Sequence, residues 1–458
     1  MKIKSHLASL GILAGLFFTY AGYGVDITAV KSGSWGDPSV WNSGTVPGTN
    51  DDADVPGGIN VTVDTNAIVQ YIYDDGTVTM AANSTLVVIG DSIGAEGTQD
   101  LGFLNTSATG NTVIYSGNAF WAKHQNYYNV VLNGNGTLWT GNISANDGSV
   151  PITIAGDMTV GGRVSVQEGN DFTINGNLIL SNTTNLWDCS SYNLTVASNT
   201  MVGGTINDFD GAHGANIFKN LTLNPGGVLH ILDSTNWYVN GNLTNNGGAV
   251  SGIAYASINF NGAGIITGTP INIPTLTVNG TYQIGATINL ATNTPTLNGT
   301  LVFDLANPGQ ITLSPNAGSG PTLYYSGSLN VINSGAPPAS GSNYQLFSAQ
   351  SYDGTFASTS LPTLTGGANW VNNLATGGSI TVVGGGGPGS PIITLSQNGS
   401  QLTLSWNSST YPGYSIQAQT NSQGIGSGWL PTGSGTASPY VTTINPTNPP
   451  VFYRLAHP

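Results

Sequence analysis

The chain has 458 residues, enough for roughly two to three domains, and only 6% of them are charged, against roughly a quarter in soluble globular proteins. Seven Lys and Arg stand against 21 Asp and Glu, a formal charge of −14 that repels phosphate backbones and argues against nucleic acid as a partner. Scarce helix-favouring charged residues and 65 Gly, with much Asn, Thr and Ser, argue against a helical fold, while 39% hydrophobic content with nine Trp, 19 Tyr and 12 Phe argues against disorder. The expectation is an ordered all-β protein.

Lys2 and Lys4 precede an apolar run over residues 7–18, followed by the small residues Ala21, Gly22 and Gly24. That layout is a secretory signal, residues 1–24, with an uncleaved anchor as the alternative. The run is shorter than the about 20 apolar residues of a membrane-spanning helix, and no later stretch reaches that length, so no span is expected once the signal is removed. Losing Lys2 and Lys4 takes the formal charge from −14 to −16. The surface then attracts cations, calcium above all, through Asp and Asn oxygens.

From 25 to 328 one theme recurs: short alternating strands that end in Asn-Gly, Gly-Asn, Gly-Asp or Gly-Gly. Examples are "ITIAGDMTV" at 152–160, "FTINGNLIL" at 172–180 and "PTLTVNGTY" at 274–282. Hairpins of a sandwich would show the same alternation and the same turns. About 300 residues of such units exceed one comfortable sandwich, whereas a solenoid grows without a larger core. The expected architecture is a right-handed parallel β-helix, with stacked Asn side chains bonded in ladders along an edge. Residues 32–64 carry Trp35, Trp41, Gly44, Pro47 and the acids at 51–54, then "VTVD". They resemble the opening of secreted bacterial, pectin-lyase-like β-helix proteins and of G8-type domains, which implies an N-terminal cap.

Several groups are candidates for chemistry. Asp51, Asp52 and Asp54 would bind calcium in the cap or simply face water, and the same two readings apply to Asp74 and Asp75. Trp121, His124, Tyr127 and Tyr128 would form a sugar-stacking platform or a small core. Arg163, near Glu168 and Asp171, is the best candidate base for a polysaccharide lyase, and a surface ion pair explains it equally well. Asp208 and Asp210, with His213 close by, would serve as paired carboxylates, as calcium ligands or as a solvent-facing turn. Cys189, the single cysteine, reads as a small buried hydrophobe. No HExxH, GxSxG, phosphate-binding loop or Cys/His metal spacing occurs.

Residues 329–383 contain Phe347, Tyr352, Gly354, Phe356, Leu361, Pro362, Trp370, Leu374, Gly377 and Val382. In that order they resemble the segment that closes the β-helix of autotransporter-like surface proteins, though the 75 residues after Val383 are too few for a membrane barrel. A Gly/Pro linker at 384–391 follows. Residues 392–458, with Trp406, "YSIQAQTN", Trp429 and "FYRLAHP", resemble a fibronectin-III-like C-terminal module, an antiparallel β-sandwich that implies attachment or sorting. Arg454 has a strand-surface or packing role there. Together these features predict a non-catalytic protein exported to the surface of a Gram-negative cell or released from it, in adhesion or as a structural coat. Its partners would be glycans or cell-envelope components. The alternatives are a carbohydrate-active β-helix enzyme, lyase or hydrolase, and a carbohydrate-binding protein.

Overall fold

The fold was described from a computed structural model. It describes residues 24–90, 103–117, 122, 125–139, 151–189, 192–208, 214–231, 236–252, 257–290, 294–314, 322–384, 391–409, 411–420, 425, 428–433, 435–445, 447 and 449–457. The expected signal, residues 1–24, lies outside them except for Gly24. The chain is nearly all β, with about ten turns of parallel solenoid and small antiparallel sheets at the C-terminal end. It divides into two compact units, residues 1–170 with 174–176 and residues 171–173 with 177–458.

Among the described residues of the first unit every pairing between strands is parallel, the isolated Ala29–Trp41 bridge apart, which removes the hairpin alternative there. Asp52–Val55 lies beside Tyr71–Asp74, Asn60–Val63 beside Thr77–Met80, and Asn66–Val69 beside Thr85–Val88. One coil is therefore three four-residue strands, and the next coil repeats them. Alternation decides the faces: Val61 and Val63 point inward and are fully buried, whereas Asn60 and Thr62 lie on the outer face. Register then stacks like on like. Val69, Val88, Tyr115, Leu132 and Val160 form one continuous inward column. Each such side chain contributes about 1.5–3 kcal/mol by leaving water.

The segment expected to be a cap is already part of this ladder. Asp26–Thr28 pairs with Asp52–Val55, and Gly33–Ser34 with Asn60–Val63. Between them the single turn Pro38–Val40 starts on Asp37, whose carboxylate accepts from the Ser39 backbone amide at 2.9 Å. That turn brings Trp35 and Trp41 together edge to face, centroids 5.0 Å apart, and the Trp41 indole donates to the Trp35 carbonyl at 2.9 Å.

The second unit continues the same logic with coils of about 18 to 23 residues. Leu178, Thr200, Leu221, Leu243, Ile266 and Ile284 stack in register, all buried. A parallel column joins Val196, Phe218, Val239, Phe260, Val278 and Leu297. Aromatic rings fill the interior in pairs: Phe172 against Trp187, Phe218 against Trp237, and Phe260 against Tyr282. The Tyr282 hydroxyl donates to the Val239 carbonyl at 2.6 Å, and burial pushes its pKa up to about 12.

Thr200 breaks the apolar column. It is fully buried between Leu178 and Leu221, and its hydroxyl has no hydrogen-bond partner among the described residues. A buried hydroxyl without a partner costs about 1–3 kcal/mol. Thr200→Val keeps the shape and removes the polar atom, so it is expected to raise stability by about 1 kcal/mol. An unchanged or lowered denaturant midpoint would show that the hydroxyl is satisfied.

The expected asparagine ladders exist, on several edges rather than one. Asn199 donates its side-chain amide to Asn177 at 2.8 Å, and Asn220 to Asn199 at 3.0 Å. The Asn220 oxygen then accepts from the Asn242 backbone amide at 2.9 Å, and the Asn242 oxygen from that of Ile265 at 2.9 Å. A second ladder runs Asn261, Asn279, Asn298, at 2.9 and 3.0 Å. Beside it stand Gly262, Gly280, Gly299 and Gly327, each packed on the carbonyl of the one before. The Asn-Gly pairs are thus coil corners. The Asn amide bonds to the neighbouring coil, and the Gly lets two backbones approach where a side chain would not fit.

Residues 329–383 carry the last parallel pairings of the ladder and then an antiparallel sheet. The ladder's parallel strands there are Ser328–Ile332, Phe347–Ser348, Ser351–Gly354 and Ser358–Ser360, and Phe347 is buried against Phe303. The antiparallel sheet consists of Asn343–Gln345, Ser379–Gly384 and Ala368–Asn373. The C-terminal module consists of two three-stranded antiparallel sheets around Leu404, Trp406 and Ile416. Arg454 packs there, bonded through two guanidinium nitrogens to the Gln417 side-chain oxygen and stacked 4.5 Å from the centre of the Trp429 ring.

Candidate functional site

The acids of the first coils are gathered by register. Asp26 lies directly opposite Asp52, in strands whose next pairs are Ile27 with Ala53 and Thr28 with Asp54. Burial, followed by the Asp26 charge, pushes the Asp52 carboxyl above the usual carboxylate range. Burial does the same for Asp54, opposed by a Thr28 hydrogen bond and reinforced by Asp75 and Asp26. Asp51 instead closes its turn, its carboxylate accepting from the Gly48 amide at 2.9 Å. Among the described residues no three His, Cys, Asp or Glu side chains are arranged to hold a metal ion.

A raised folded-state pKa has a definite sign. Ionised Asp52 and Asp54 work against the fold above their raised pKa values, and the penalty fades as pH falls through those values toward the reference 3.8. Asp52→Asn is therefore expected to stabilise the protein at pH 7 and to leave it unchanged below 3.8, where wild-type Asp52 is already neutral. Denaturant midpoints across that range measure it; a variant less stable at pH 7 would mean that the carboxylate is compensated.

The other candidates are placed as follows. Trp121, His124, Asp210 and His213 lie outside the described residues. Tyr127 belongs to the core, its ring edge-on to Tyr115 and the two hydroxyls 2.9 Å apart, while Tyr128 is half-buried. Arg163 is exposed on the outer face of Met158–Gln167, whereas Glu168, just past its end, is buried, so the strand's alternation assigns them to opposite faces. Asp208 is buried at the end of Thr205–Asp208, in register with Ile231. Cys189 is buried, as expected.

Sequence reasoning passed over a cleft of about 570 Å³ on the outer face of the second unit. Four coils line it. Thr244 sits in register with Thr267, and Ile265 with Gln283. Gly285 forms part of the lining where the next side chain would stand, and Asp304 with Asn307 lines it too. The side chains of Thr244, Thr267, Gln283 and Asn307 make no hydrogen bond to other described residues. Asp304 accepts from the Ser334 amide at 2.9 Å, the Ser334 hydroxyl and the Ala306 amide at 3.1 Å. Those bonds, the Ser334 hydroxyl first, hold its carboxyl below the usual range, so it is ionised at neutral pH. The signal available in the sequence was the outward Thr of "NLTN" and of "IITG", which only register joins.

No helix among the described residues is long and apolar enough to cross a membrane. No family model, no curated protein and no solved structure matches this chain.

Proposed function

We propose that this chain is an exported, non-catalytic scaffold of a Gram-negative cell surface or matrix, working in adhesion or as a structural coat, with its C-terminal module for attachment. The observation that carries this reading is how the recurring residues are used. The inward positions pack column on column, the corner Asn side chains bond to the neighbouring coil, and the corner Gly residues admit close backbone contact. A ladder joined by hydrogen bonds at every coil resists local opening, which suits a load-bearing or displayed surface. The outward positions remain free to vary, and there they carry Thr, Asn and Gln. The acidic charge keeps such a surface apart from anionic polymers and hydrated.

Two measurements test the proposal together. The full chain, expressed in a Gram-negative host, is expected to reach the outer surface or the medium, read by protease shaving and fractionation. The purified protein is expected to release neither reducing ends nor unsaturated uronates from a polysaccharide panel with calcium present. Retention in the cytoplasm, or turnover of any polysaccharide, overturns the proposal.

A further inference from the structure

We propose that the cleft over Thr244, Thr267, Gln283 and Asn307 is a binding site for a neutral, extended oligosaccharide. Three features of the cleft argue for that ligand class. First, four of its polar side chains have nothing to do for the fold, unlike Asn242 and Asp304 of the same lining. Two hydroxyls and two primary amides face it without a bond to other described residues, and together they offer both donors and acceptors. Sugar hydroxyls need that mixture, because each one donates and accepts. Second, Ile265 is 41% exposed in this polar setting. A lone exposed aliphatic group between amides gives the C–H face of a pyranose ring something to cover while the ring's hydroxyls reach the amides.

Third, the cleft has a direction and a charge. Its lining comes from successive coils, Thr244 to Thr267 and Ile265 to Gln283, so it runs across the strands at about 4.8 Å per coil. A chain of linked pyranose rings can advance about one ring per coil along such a path. The floor is low because Gly285 has no side chain. A Cβ there would stand 3.8 Å from both the Ile265 Cγ2 and the Thr267 Oγ1, in the space the ligand would take. The one charged side chain of the lining is ionised Asp304, and the whole chain carries −14, so an anionic polymer such as a polyuronate is repelled. Lining amides and hydroxyls with no cation select a neutral sugar.

This inference gives a ligand class to the adhesive reading and rests on it. The test is titration calorimetry of the full chain with cello-, xylo- and manno-oligosaccharides of increasing length, and with polygalacturonate. A neutral series is expected to bind, more tightly as length grows to span the coils, and polygalacturonate is expected not to compete. Two variants act by different routes. Thr267→Ala with Gln283→Ala removes bonding groups, and Gly285→Gln fills the floor, where it must push the Ile266 carbonyl, 3.3 Å from the new Cβ, by a few tenths of an ångström. Each is expected to weaken binding at least tenfold. Tyr324→Ala, at an exposed position elsewhere in the same unit, is expected to leave binding unchanged. Circular dichroism and denaturant midpoints matching wild type confirm that the variants fold. Binding that survives both cleft variants overturns the cleft assignment and leaves the adhesive reading standing. No binding to any neutral oligosaccharide, or binding to polygalacturonate alone, overturns the ligand class. Surface exposure without turnover still supports the scaffold reading in either case.

Discussion

Gly280→Ala is expected to cost about 3 kcal/mol, at the top of the range for forcing atoms into packed structure. A Cβ at Gly280 would lie well inside 3.0 Å of the Gly262 carbonyl oxygen, and backbone, unlike a flexible side chain, cannot swing aside. The damage is not confined to one corner. Asn279, next to it, bonds to Asn261 on one side and receives Asn298 on the other, and Thr281 donates to the Gly262 carbonyl at 2.9 Å. Moving the corner stretches all three, and a stacked array passes the strain to the adjoining coils. Gly377→Ala is the control: its nearest neighbour is the Ser379 hydroxyl at 3.9 Å, and a change within about 0.5 kcal/mol is expected. Equal denaturant midpoints for the two variants would mean that the Asn-Gly corners do not bring backbones together, and the account of the repeat would fall with them.

The second large effect belongs to the interior. Phe218 is fully buried, in register between Val196 and Val239, with its ring 5.7 Å from that of Trp237. Phe218→Ala is expected to lose about 3–5 kcal/mol, because apolar contact is lost and the ladder on either side holds the cavity open. Phe218→Leu keeps most of the volume and is expected to cost no more than about 1.5 kcal/mol. Urea unfolding followed by circular dichroism reads both. Similar losses for the two would show that ring stacking rather than filled volume stabilises this coil.

The Asn-Gly signal was legible, yet its meaning was not. An Asn followed by Gly fits a two-residue hairpin as well as a coil corner, because both need a tight turn and alternating flanks. What separates them is the partner, and the partner lies one coil away: Thr281 pairs with Thr300, not with the strand just before it. The same distance hid the ladders' course. Asn199 and Asn220 are 21 residues apart in the chain and 3.0 Å apart in the fold.

The candidate site shows the limit more sharply. Tyr127, in a string of aromatic residues, reads equally as part of a sugar platform or of a core, and its burial against Tyr115 makes it core. Glu168 reads as a neighbour of Arg163, and the strand's pleat separates them. The cleft had little local signature beyond its outward Thr residues, since Thr244, Gln283 and Asn307 come from separate coils and none is unusual where it stands.

By itself the sequence determined the class of the fold, the length of its strands, their inward and outward faces and the corner chemistry, because each of these follows from neighbours within a few residues. The length of the repeat region already argued for parallel coils, and only the tertiary structure decided which strand pairs with which, which side chains stack upon which, and where free amides and hydroxyls converge. Those outcomes depend on the register between coils, and register is chosen by the packing of whole columns rather than by any one segment.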